Sequence, residues 1–259
     1  MKAFPESRVR CCFLVALAAT GNVLSGQAPA IDADSTWFAG WPQRYAQLQA
    51  YEKTPAPKVE DSAKREVISW LTREADYAAR HYRNTGTGLG ESYGDYYIDL
   101  TLFVVQLKDP RSIGALTKAT DVAGRVSTTL AEFGEPAVQP VLAQLGNPLL
   151  RDSTLYTLGK FIEGNGIGRC HISEASIGRI RRALFEAVLD TSSATRLSAV
   201  NALKYFGRDA EVIRTLQHVA SGDQYVVVRD PNTGKKAYPV RQAAAAALDE
   251  IDKAHVQTP

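Results

Sequence analysis

Cys170-His171 brings together the residue types of a nucleophile and its base. Neighbours in sequence point their side chains apart on most backbones, whereas nucleophilic catalysis needs the two in hydrogen-bond contact. The pair therefore reads as a small packing cysteine, with a disulfide to a second chain as its remaining chemical use. His81, His218 and His255 are scattered without HExxH, His-Glu or His-x-His spacing, so no metal site is expected. A GxSxG elbow and a P-loop lysine are missing too, and the sequence points to no cofactor. "GTGLGESYG" has the glycines of a phosphate cradle, but no strand precedes it and Glu91 and Asp95 would repel an anion. It reads as a flexible turn.

Carboxylates among tyrosines are the other chemical grouping. Glu91, Asp95 and Asp99 lie close in sequence to Tyr93, Tyr96 and Tyr97. Such a set suits a sugar or a cationic peptide and could serve acid–base work. The plainer reading is a solvated turn leading into a helix whose tyrosines pack inward.

The elements that must position these groups begin after residue 30. Lys2, Arg8 and Arg10, the apolar "CCFLVALAAT" and the small-residue end Ala28-Pro29-Ala30 describe an export signal over residues 1–30. That apolar stretch is too short to span a membrane. Removing it takes those three cations from the 30 Lys and Arg and Glu6 from the 28 Asp and Glu, leaving a neutral chain. Neutrality argues against nucleic acid or an anionic membrane as partner. Cys11 and Cys12 leave with the signal, so Cys170 has no intrachain disulfide partner. The expected location is exported, periplasmic or secreted.

A pattern recurs along the rest. From Arg241, offsets 3, 6, 7 and 10 give Ala244, Ala247, Leu248 and Ile251; from Arg196 they give Ala199, Ala202, Leu203 and Phe206. From Arg151 they give Thr154, Thr157, Leu158 and Phe161, from Ala123 Val126, Thr129, Leu130 and Phe133, and from Asp95 Ile98, Thr101, Leu102 and Val105. These offsets share one helical face, with a small residue beside a leucine, so neighbouring helices can approach closely there. Earlier helices at 135–145, 174–190 and 209–222 pair with the last three. Helix pairs at a fixed period bury their faces by stacking.

"YPVRQAAAAALDEI", "TRLSAVNALKYFG" and "LRDSTLYTLGKFI" resemble HEAT repeats, specifically the short HEAT-like repeats of bacterial proteins, over about residues 62–254. The resemblance implies an all-α fold: an α-solenoid of about five stacked antiparallel helix pairs. It also implies a ladder of arginines and aspartates. Asp190 stands six residues before Arg196, but Arg151 and Arg241 lack such an aspartate, and Asp95 and Ala123 replace the first two arginines. The ladder is therefore expected to be incomplete. Some relatives of this kind are chromophore lyases or iron-dependent hydroxylases. The hydroxylases carry His-Glu ligand pairs that this chain lacks, and export fits poorly with a cytoplasmic lyase.

Two insertions interrupt the period, "EGNGIGRCHIS" (163–173) between units and "DQYVVVRDPNTGKKAYP" (223–239) inside the last one. The second alternates and turns as a β-hairpin, with Gly234 for the left-handed position. The turn at 84–95 lies in the corresponding place of the first unit, so both project from one edge. Residues 31–61 precede the repeats: Trp37, Trp41, Tyr45 and Leu48 fall at helical spacing and read as a cap on the open end. A stiff linker, "EKTPAPKVED", follows, and residues 255–259 form a tail.

The functional expectation is an exported, non-enzymatic scaffold that binds a protein or peptide on its concave face and loop edge. The contact residues expected are Tyr225, Arg229, Asn232, Lys235, Lys236 and Tyr238 on the basic hairpin, and Glu91, Tyr93 and Tyr96 at the acidic turn. The hairpin has a second reading as a brace on its own unit. The alternatives are an enzyme or accessory of the HEAT-like lyase type, small-molecule or sugar binding at the first turn, and self-association in the envelope.

Overall fold

The computed structural model describes residues 33–81, 91–122, 124–230 and 234–256. The expected export signal, most of the first-unit turn and Asn232 lie outside the described residues. The chain is mostly helical, with one small antiparallel sheet.

Helices start where short polar side chains can satisfy the free amides of a first turn. Ser173 accepts from the Ser176 amide and Ser192 from the Thr195 amide, opening α9 (Glu174–Val188) and α10 (Ser193–Leu203). Asp209 accepts from the Glu211 and Val212 amides at the head of α11 (Ala210–Gly222). Gly134 precedes α7 (Glu135–Ala143) in the left-handed region, φ 66°. A Cβ there would also meet the His171 carbonyl oxygen at 2.8 Å, so only glycine fits where the first insertion crosses this turn.

The remaining elements fall into two rows. In the first row, α3 (Asp61–His81), α5 (Ile113–Lys118), α7 and α9 pack in succession. In the second, α4 (Glu91–Leu107), α6 (Gly124–Glu132), α8 (Arg151–Gly166), α10 and α12 (Pro239–Val256) do the same. The second row holds the repeated small-plus-leucine face. Val126, Thr129 and Leu130, then Thr154, Thr157, Leu158 and Phe161, then Ala199, Ala202 and Leu203, then Ala244, Ala247 and Ile251 are all buried. Gly159 lies so close to α10 that a Cβ would meet the Ala202 Cβ at 2.9 Å. In α4 the pattern holds in part: Thr101 and Val105 are buried, but Ile98, at the expected inward position, is 41% exposed. There α4 also turns Tyr93, Tyr96 and Leu100 inward, and Tyr96 packs against helices that precede it in the chain.

The first helices described are α1 (Ala33–Ala39) and α2 (Trp41–Glu52), and α2 packs on α4. The segment expected to be a plain exposed linker contains a short 3-10 turn, Ala56–Lys58, and anchors itself through buried Val59.

The first row opens at its end: α11 packs on α12 but not closely against α9. The chain then forms the hairpin, with β1 (Val227–Asp230) antiparallel to β2 (Lys235–Ala237) and a register irregularity between Val228 and Asp230. Among the described residues no helix is long and apolar enough to cross a membrane.

Candidate functional site

A cavity of about 820 Å³ occupies the opening between α9 and α11. Phe185, Val188 and Leu189 form one wall; Glu211, Arg214, His218 and Val219 form the other. Leu189 ends α9 in the bend before α10 and is 80% exposed, the most exposed large apolar residue described. An apolar side chain left in water at the mouth of a groove marks a surface that other molecules can cover.

Asp190, Arg196 and Asp223 also line the groove. Arg196 holds the Asp223 carboxylate with both ends of its fork, Nε to Oδ2 at 2.6 Å and Nη2 to Oδ1 at 3.2 Å. Burial alone would raise the Asp223 pKa. The Arg196 hydrogen bond, the Tyr225 amide and the Arg196 and Arg241 charges outweigh it, holding the carboxyl below its usual range. Asp190 in turn accepts from Arg151 at 3.1 Å. Both carboxylates are thus held in ion pairs with an arginine.

The three motif arginines behave alike. Arg151 donates to the Leu145 carbonyl and Arg196 to the Asp190 carbonyl, each six residues earlier. Arg241 donates to the Asp223 carbonyl, eighteen residues earlier. Arg151 and Arg196 also reach a carboxylate of the following unit, Asp190 and Asp223. The three arginines thus share a bonding pattern more regular than the spacing of their aspartates implied. Asp223 escaped notice because the hairpin stretches a separation of six to eighteen; setting twelve hairpin residues aside restores it.

The expected contact residues separate into two environments. On the hairpin, Arg229 and Lys236 are exposed, and so is Tyr225, beside exposed Val226 and Val228. Tyr238 is half-buried under the Arg241 guanidinium, 4.5 Å from its ring, and Ala237 is buried. The paired residues Val227 and Ala237 therefore lie on the more buried face of the hairpin, while the next pair, Val228 and Lys236, faces water. Lys235 lies on β2, with its side chain outside the described set.

Tyr93 and Tyr96 are buried instead of standing at a turn where a partner could reach them. Their hydroxyls donate to Glu74, Tyr93 to Oε2 at 2.5 Å and Tyr96 to Oε1 at 3.2 Å. Burial and the Glu74 charge push the Tyr96 pKa up. Glu91 opens α4, and its side chain is not among those described. Asp99 accepts from the Tyr45 hydroxyl at 2.8 Å, and that bond, burial and the carboxylate charge push the Tyr45 pKa up to about 12. The carboxylate at the centre of the tyrosines is therefore Glu74, which sequence reasoning missed. Its signal was present: it sits among Leu71, Ala75 and Ala78 on the apolar face of α3, where a charge needs a partner.

Cys170 is half-buried, its thiol 3.6 Å from the Phe161 carbonyl, and burial pushes its pKa up, away from the reactive thiolate. Among the described residues no disulfide and no grouping of His, Cys, Asp or Glu fit for a metal ion occurs.

Comparison with known proteins places no family model on the chain and finds no curated protein similar to it.

Proposed function

We propose that this protein is an exported, non-enzymatic scaffold, a short HEAT-like α-solenoid that holds an extended segment of a partner protein in the groove between α9 and α11. The solenoid reading is supported by the two helix rows and by the equivalent bonds of Arg151, Arg196 and Arg241. The groove reading rests on Leu189, exposed at the mouth of an open trough between two helices. Small-molecule sites enclose most of their ligand, whereas a trough suits a chain that enters and leaves. Asp190 and Asp223 stay bound to arginines, a structural task that leaves them poorly placed for proton transfer. The partner segment offers an apolar side chain to Phe185 and Leu189, and its flank meets the basic, water-facing hairpin at Arg229 and Lys236.

The test is capture from an envelope extract with three forms of residues 31–259: unaltered, Leu189→Asp, and one with residues 225–238 replaced by a short turn. A protein retained by the unaltered chain and lost with Leu189→Asp supports the groove. Equal capture by all three removes it. Leu189→Asp is expected to change stability by no more than about 0.5 kcal/mol, since the side chain already faces water. Amino-terminal sequencing of exported protein tests the signal, with Ile31 as the expected first residue.

A further inference from the structure

One edge of the hairpin is open. Val227 and Val228 face Ala237 and Lys236 in consecutive antiparallel pairs. Such pairs alternate: in one the two residues exchange both N–H···O bonds, and in the next both point their N–H and C=O groups away from the partner strand. One of these two valines therefore presents a donor and an acceptor at the outer edge of β1. Among the described residues no main-chain group outside β2 bonds to residues 224–229, and the Tyr225 amide goes to the Asp223 carboxylate.

Sheets keep such edges from pairing with lysines, prolines or bulges. Here Lys235 and Lys236 stand on β2, and the register irregularity comes after Val228. Residues 225–228 thus carry neither charge nor bulge, and Tyr225, Val226 and Val228 are exposed. The stretch follows directly on Asp223 and Gln224, which line the α9–α11 groove, so the foot of the open edge lies at the groove.

Charge decides between the occupants such an edge can take. Residues 225–238 hold Arg229, Lys235 and Lys236 against Asp230 alone, so two copies of the chain pairing edge to edge would bring like-charged hairpins together. Arg229, Lys236 and Arg214, the last on the groove wall, make no ion pair among the described residues. Carboxylates answer that excess, and a second hairpin does not.

We infer that the partner segment held in the groove continues as a third strand on β1, paired through its main chain to residues 226–228 and carrying carboxylates towards Arg229. The occupant's identity rests on the groove reading; its chemistry is that of an extended acidic polypeptide with β-branched residues at alternate positions. Main-chain bonds supply the affinity and the carboxylates the choice of partner.

The probe is the peptide acetyl-TVEVEVT-amide, added to the nitrogen-15-labelled chain. Amide signals of residues 226–229 are expected to shift and to exchange more slowly, with a Kd of about 1 mM or tighter. Methylating the five central amides of the peptide abolishes the effect. Acetyl-TVKVKVT-amide binds about fivefold more weakly, and Arg229→Glu reverses the order of the two peptides. No shift with the first probe, equal binding of its methylated form, or a dimer formed through residues 226–228 in sedimentation runs overturns the third strand. The probe carries no anchor for Leu189, so Leu189→Asp leaves its binding unchanged. A failed edge with an intact groove, or the reverse, is thereby told apart.

Discussion

The two ends of the helix rows are built with opposite chemistry. At the N-terminal end the residues are large and polar-tipped: Trp37, Trp41, Tyr45, Tyr93 and Tyr96 surround one buried ion pair, Arg44–Glu74. At the C-terminal end the seam is made of alanines, Ala199, Ala202, Ala244 and Ala247, and the ions sit in the turns. Aromatic packing tolerates the irregular approach of α1 and α2, whereas a seam of small residues holds only where two helices keep one regular spacing. The first end is thus specified by polar partners and the second by shape.

This contrast is broken most directly at Glu74. Glu74→Ala leaves a partly buried Arg44 without its anion, and unfolding in urea is expected to show a loss of about 3–5 kcal/mol. If the loss is no larger than that of a surface carboxylate, the N-terminal end does not depend on its ion pair. At the seam, Gly159→Ala brings a Cβ to 3.0 Å or less from Ala202 and is expected to cost about 1–3 kcal/mol by the same measurement. A neutral result would mean that α8 and α10 can separate freely.

The ends should also fail at opposite extremes of pH. The Asp223 pKa is depressed below its ordinary 3.8, so its contribution is complete above that value and is lost as pH falls through the folded value. Tyr45 is raised to about 12 from 10.0, so its contribution is complete below pH 10 and is lost as pH rises towards 12. Asp223→Asn should flatten the acid limb of the stability profile alone, and Tyr45→Phe the alkaline limb alone. Melting temperatures across pH check both signs. The smallest effect is expected between the ends, where the buried Thr154 hydroxyl has no partner among the described residues. Thr154→Val removes that unmet group at similar volume and should raise stability by about 1 kcal/mol.

The same contrast explains what could be read from sequence. The C-terminal units were legible because small residues at offsets 3 and 6 can only mean close helix contact, and Ala199, Ala202, Ala244 and Ala247 are buried accordingly. The hairpin was legible from its turn chemistry, with Gly234 in the left-handed region. The tyrosines of α4 were read both as packing inward and, for Tyr93 and Tyr96, as contact residues, and their burial agrees with the first reading. Nothing local says which tyrosines turn inward, since that depends on Glu74 and Arg44, which lie 22 and 52 residues from Tyr96. The α9–α11 groove was invisible for a related reason. A gap between helices is set by how the rows diverge, and no residue type encodes it.

The bond from Arg241 to the Asp223 carbonyl spans the whole hairpin and ties its two feet together. The exposed tip of the hairpin is therefore held on two fixed feet, with Ala237 and Tyr238 packed at the base. Doubling such a loop costs only about 0.6 kcal/mol in closure entropy. The exposed stretch from Val228 to Lys236 is therefore a natural graft point, where an epitope, a fluorophore carrier or a longer recognition loop can be installed while Ala237 and Tyr238 keep their contacts.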